Sequence, residues 1–63
     1  MEAYQERVVA EKQALDEKIA KLEAFIDSYR LVDASEDDQD ILPRQLKVMR
    51  TYSFILEERI SGF

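Results

Sequence analysis

The sequence predicts an all-α protein: a single domain, residues 1–63, folded as an antiparallel helical hairpin and assembled as a homo-oligomer. Three observations lead to this fold class. Only one Gly and one Pro occur, so little interrupts helix formation. Apolar residues recur at helical spacing in two long segments. The short aperiodic connection between these segments favours an antiparallel pair.

The first helix is predicted from about residue 2 to 29, because Ala, Leu, Glu, Lys and Gln dominate there. At about 100° per residue, its apolar stripe is roughly 120° wide. The stripe contains Tyr4, Val8, Leu15, Ile19, Leu22, Phe25, Ile26 and Tyr29. Glu11 and Lys12 interrupt it. The outer face is predicted to carry ion pairs at i,i+4 spacing: Arg7–Glu11, Lys12–Asp16 and Glu17–Lys21.

The connection is predicted at about residues 30–35, and the second helix at about 36–61. Ser35 is the expected N-cap, with acidic residues after it on the positive end of the helix dipole. Pro43 lacks an N–H and its ring clashes with the Gln39 carbonyl. The sequence therefore predicts either a restart near Pro43, after a short helix at about 36–41, or one helix that bends there.

The second helix has an apolar arc of about 180°, too wide for one partner helix to cover. One side holds Leu42, Leu46, Met49, Tyr52, Leu56, Ile60 and Phe63, and the arc is widened by Ile41, Val48 and Ile55. In a hairpin we expect Val48, Ile55 and Phe54 to remain in water. A chain this short, without cysteine, usually needs a partner chain for stability. Self-association is therefore predicted.

Charge and composition exclude several classes of function. The net charge is −5, and residues 31–43, with five acids and no basic residue, account for all of it. The rest of the chain sums to zero, and no basic stripe for duplex DNA appears. No long apolar run or signal core is present, which predicts a cytoplasmic protein with no membrane helix. With no His or Cys, neither an enzyme nor a bound cofactor or metal is predicted. Helix capping explains the acidic residues better than a calcium loop does.

Four residues are candidates for binding an anionic nucleotide. The Tyr4 ring could stack on a base and the Lys21 ammonium could neutralise a phosphate, although a core Tyr and a solvated Lys are the simpler interpretations. Seventeen helical residues span about 25 Å, so the two could meet one small ligand only across a subunit boundary. Arg59 could grip a phosphate and Gly62 could permit close backbone approach, or both could form an ordinary helix end.

Two segments, YQERVVAEKQALDEKIAKLEAFI and LPRQLKVMRTYSFILEERISGF, resemble a small helical phage protein family, the anti-CBASS cyclic-nucleotide sponges. The resemblance covers nearly the whole chain. It implies a hexamer that sequesters the second messengers of bacterial cGAS-like immunity without any reaction. It also implies that Tyr4 and Lys21 bind cyclic dinucleotides between protomers, and that Arg59 and Gly62 bind cyclic trinucleotides. Two residues depart from the family pattern: Glu23 replaces a small hydroxyl residue, and Pro43 replaces a Lys.

Two other functions fit the sequence. The chain could be a protein-interaction module that binds a host protein through its apolar face or its acidic segment. It could also be a structural helical oligomer with no ligand.

Overall fold

The computed structural model describes the backbone of all 63 residues and every side chain except those of Tyr29 and Arg30. Helix α1 spans Ala3–Asp27 and helix α2 spans Glu36–Ser61, with a 3-10 segment at Tyr29–Asp33 between them. The two helices form a rod of 45 × 14 × 14 Å. The predicted all-helical hairpin is confirmed, and the predicted place of Tyr29 on the apolar stripe lies outside the described side chains.

Polar groups at both ends fix the limits of α1. The Glu2 N–H donates to Gln5 Oε1 at 2.8 Å, which satisfies one N–H at the helix start. At the other end, the Ser28 hydroxyl and the Ser28 N–H both donate to the Phe25 carbonyl, at 2.7 and 3.2 Å. Because Ser28 is already extended, α1 ends before Tyr29.

Helix α2 begins as predicted, with Ser35 as its N-cap: the Asp38 N–H donates to Ser35 Oγ at 3.1 Å. Of the two alternatives predicted at Pro43, the restart is wrong and the single helix is present, because α2 continues through Pro43. Both Gln39 and Pro43 are exposed, so water can solvate the carbonyl that Pro43 leaves without an N–H partner. The Gln39 side chain donates to the Val32 and Ala34 carbonyls at 3.3 and 3.1 Å and holds the connection against the helix.

The core between the helices is small. Its buried apolar residues are Val8, Leu15, Ile19, Leu46 and Leu56. Around them pack the half-buried Leu22, Ile26, Met49 and Ile60. As predicted, Val48, Phe54 and Ile55 stay exposed, at 68%, 66% and 48%. Tyr52 and Phe63, expected on the covered side, are exposed too.

No helix of the described chain is both long and apolar enough to cross a membrane.

Candidate functional site

Tyr4 lies at the open end of the hairpin, where α1 begins and α2 finishes. Tyr4 is 53% exposed, and its ring meets that of Phe63 edge to face, with ring centroids 5.9 Å apart and planes at 79°. This geometry is a favoured aromatic contact. Phe63 covers only part of the Tyr4 side chain, and the Gln5 amide donates to the Tyr4 hydroxyl at 3.4 Å, so the exposed part of the ring can still contact a ligand.

Arg59 and Gly62 lie at the same end of the hairpin. Arg59 is exposed and makes no ion pair within the described residues. The Gly62 N–H donates to the carbonyls of Glu58 and Arg59 at 3.3 and 3.1 Å, and its φ of −84° is one that any residue adopts. A Cβ at Gly62 would meet only backbone carbonyls of its own helix, the nearer at 3.4 Å. The local fold therefore does not require glycine there.

Lys21 lies far from these three residues. It is exposed, and the predicted pair with Glu17 does not form, so its ammonium has no ion-pair partner among the described side chains. Seventeen residues of helix separate Lys21 from Tyr4 by about 25 Å. Hence one chain does not bring the two together, and the described part of a single hairpin contains no pocket.

Glu23, the acid that replaces a hydroxyl residue in the family pattern, pairs with Arg50 of α2. The Arg50 guanidinium donates to Glu23 Oε1, with Nη2 at 2.9 Å and Nε at 3.3 Å. Residues two apart on a helix point to different sides, so Glu23 does not face the same way as Lys21. The pair balances the negative charge of Glu23 within the chain.

A polar cluster between the helices was missed by sequence reasoning. Ser53 is buried, and its hydroxyl donates to Asp16 Oδ1 at 2.5 Å. The other Asp16 oxygen binds the Lys12 ammonium at 2.7 Å, and Lys12 also lies 3.7 Å from a Glu57 carboxylate oxygen. The predicted Lys12–Asp16 pair is thus present, but it faces α2 instead of lying on the outer face. The signal in the sequence was a polar residue within each apolar stripe, Lys12 in the first and Ser53 in the second.

The polar cluster shifts the pKa values of Asp16 and Lys12. The hydrogen bond from Lys12, and then that from Ser53, lowers the pKa of Asp16 below its ordinary 3.8. The hydrogen bond to Asp16 raises the pKa of Lys12 above its ordinary 10.5, against the opposing effect of burial.

We therefore expect the stabilisation from Asp16 to be complete above pH 3.8 and to be lost as the pH falls through its lower folded-state pKa. Lys12 contributes fully below pH 10.5 and loses its contribution as the pH rises through its higher folded-state pKa. Thermal unfolding of the wild type and Asp16→Asn across acidic pH measures the contribution of Asp16 to stability. The stability gap between them should narrow below pH 3.8, and a constant gap would contradict the assignment.

Among the described residues, no group of Asp and Glu side chains is arranged to hold a metal ion. The fold and the exposed groups define a small two-helix protein whose candidate ligand contacts are single aromatic and cationic side chains. Such groups can stack on a ring and neutralise an anion.

The chain belongs to the Sequestin family, which matches residues 2–62. It is also 38% identical over 63 residues to an uncharacterised 7.5 kDa protein from the denB-rIIB intergenic region of Enterobacteria phage T4. That match covers 100% of this chain and 98% of the phage protein. No solved structure matches the chain. These matches confirm the resemblance to a small phage protein family, and the family name indicates a sequestering, binding role instead of a catalytic one.

Proposed function

We propose that this protein binds cyclic oligonucleotide second messengers in the infected bacterial cell and holds them without cleavage, so that CBASS effectors are not activated. The observation that carries the proposal is the exposure of the Tyr4 ring and the Lys21 ammonium, neither of which is tied up in an ion pair or buried in the hairpin. Membership of the Sequestin family supports a sequestering role.

The proposed dinucleotide site lies between copies of the chain. Because Tyr4 and Lys21 are about 25 Å apart on one helix, Tyr4 of one copy must meet Lys21 of another. The ring would stack on a base, and the ammonium would neutralise a phosphate. We therefore propose a homo-oligomer, with the hexamer of the resembling family as its expected form.

The proposed trinucleotide site lies at the C-terminal end of α2. Arg59 presents a planar guanidinium suited to two phosphate oxygens, and it is not engaged with any described acid of its own chain. Gly62 has no side chain to obstruct a ligand, although its backbone conformation would allow a residue with a side chain at this position. These two features support a ligand that approaches the backbone closely at this helix end.

We expect Tyr4→Ala and Lys21→Ala each to weaken cyclic-dinucleotide binding at least tenfold, since a lost base stack alone is worth about 1–3 kcal/mol. Isothermal titration calorimetry measures this. Lys18→Ala is the matched control, because Lys18 is also an exposed lysine of α1 with no ion pair among the described residues. It should bind as the wild type does.

Arg59→Ala should weaken cyclic-trinucleotide binding much more than dinucleotide binding, which separates the two sites in the same titrations. Nucleotide recovered after incubation should be unchanged, as shown by chromatography. Unaltered affinity in the Tyr4 and Lys21 variants would remove these residues from the site, and cleaved product would identify an enzyme.

A second candidate is favoured by the exposed apolar side chains of α2, above all Val48 and Phe54. Such a surface usually marks an interface, and a host protein could bind it or the acidic segment. This candidate predicts no thermal stabilisation by any cyclic di- or trinucleotide, whereas a bound ligand stabilises the fold by RT ln(1 + [L]/Kd).

A further inference from the structure

An exposed apolar stripe runs along α2 on the side turned away from the polar cluster. Ile41, Val48 and Ile55 follow one another at intervals of seven residues and are 43%, 68% and 48% exposed. Seven residues are close to two helical turns, so the three side chains lie in line. All three are β-branched residues, which pack well against another helix at such positions.

Two charged residues extend this stripe, one beyond each end. Asp37 lies four residues before Ile41 and Arg59 lies four residues after Ile55. At about 100° per residue, all five residues fall within a sector of roughly 40°. Asp37 and Arg59 are both exposed, and neither has an ion-pair partner among the described side chains.

The order of these residues is symmetric about Val48, with opposite charges at the two ends. We propose that a second copy of the chain packs on this stripe with α2 antiparallel to α2 and a two-fold axis at Val48. Val48 then meets its own equivalent and Ile41 meets Ile55 of the second copy. Asp37 lies beside Arg59 of the second copy, and the symmetry gives this pair twice.

Charge decides the direction of packing. A parallel arrangement would align the same apolar residues but would place Asp37 against Asp37 and Arg59 against Arg59, which is repulsive. Shifting the antiparallel register by seven residues would place Ile41 opposite Gly62 in one direction, and would leave Ile55 beyond the start of α2 in the other. Only the antiparallel arrangement centred on Val48 matches all three apolar residues and both charges.

A further contact belongs to the same arrangement. Arg44 and Tyr52 lie four residues on either side of Val48, so the guanidinium of one copy lies near the ring of the other. Such a pair favours a cation–π contact. Tyr52 is 43% exposed in the single hairpin even though its hydroxyl donates to Glu11. Its ring therefore has a free face for the second copy.

The contact is independent of the ligand sites proposed above. It leaves Tyr4 and Lys21 outside the stripe, and the Arg59 guanidinium has five N–H donors, enough for one carboxylate and a phosphate. Loss of nucleotide binding would therefore not affect it, and a wrong packing would leave the proposed function standing.

Charge reversal tests the pairing of Asp37 with Arg59. Asp37→Arg should raise the concentration at which the assembly dissociates about tenfold, because two symmetric pairs become repulsive. Adding Arg59→Asp to the same chain should restore association to within about threefold of the wild type. Sedimentation equilibrium measures both, with helicity checked by circular dichroism.

Glu36→Arg is the matched control: it makes the same charge change in the same helical turn but lies off the stripe. It should leave association unchanged. A double variant that associates no better than Asp37→Arg, or a control that weakens association as much, would overturn the proposal.

Cysteine pairs test the direction directly, since the natural chain contains no cysteine. An oxidised mixture of Ile41→Cys and Ile55→Cys chains should yield the mixed disulfide in excess over either homodimer, as resolved by mass spectrometry. Homodimers in excess would indicate parallel packing, and the absence of any disulfide would remove the stripe from the interface. Either result overturns the proposal, whether or not nucleotides bind.

Discussion

Replacing Leu56 by Ala is expected to lower the free energy of unfolding by about 2–5 kcal/mol, the usual cost of removing a fully buried leucine from a packed core. Leu56 has 0% exposure and belongs to the buried cluster that joins α1 to α2. A core this small rarely supplies more than about 3–5 kcal/mol in total. We therefore expect the variant to be largely unfolded in dilute solution.

Urea denaturation followed by circular dichroism, at one fixed protein concentration, measures this effect. The concentration must be fixed because self-association would add to apparent stability. Phe54→Ala is the matched control, since Phe54 is a large apolar residue two positions away that is 66% exposed. It should change stability by less than about 0.5 kcal/mol. If both variants lose the same stability, Leu56 is not the centre of the core.

Ser53→Ala is expected to lower stability by about 1–2 kcal/mol, because a hydrogen bond to a charged group contributes more than one between neutral groups. The Ser53 hydroxyl is buried and donates to Asp16, and no other described hydroxyl donates to a carboxylate from a buried position. In a domain of this size each kcal/mol corresponds to about 4–8 °C in Tm.

Differential scanning calorimetry of Ser53→Ala and Thr51→Ala provides the comparison. Thr51 also donates its hydroxyl, at 3.2 Å to the Lys47 carbonyl, but does so on the exposed surface. Its loss should shift Tm much less. In an Asp16→Asn background the Ser53→Ala effect should shrink, because the two residues share one hydrogen bond. Equal shifts for Ser53→Ala in both backgrounds would show that the pair is not coupled.

The helices themselves were predictable from local features. The scarcity of Gly and Pro, the Ser35 cap and the apolar spacing are properties of neighbouring residues along the chain, and they indicated two helices that the structure contains. The effect of Pro43 was not predictable from local features. The free-energy cost of a proline inside a helix depends on whether the carbonyl that loses its N–H partner is buried or solvated, and that depends on which side of α2 faces α1.

For the candidate ligand residues too, some positions were predictable from the sequence and others depended on the fold. Sequence spacing alone separated Tyr4 from Lys21 on one helix, and the structure keeps them apart. The chain's fold brought Tyr4 to the same end as Arg59 and Gly62, as its contact with Phe63 shows. The roles of these four residues remain predictions, which the titrations above address.

By itself, the sequence determined the helical class, the helix starts and the excess of apolar surface, because these depend on local propensity and on residue spacing. The tertiary structure alone decided which polar residues enter the helix interface. Lys12 and Asp16 suit a solvated surface equally well by spacing, and they turn inward because Ser53 and Glu57 of α2 lie opposite them. Such a pairing depends on the register between two helices that are distant in sequence. The periodicity within either helix alone therefore cannot predict it.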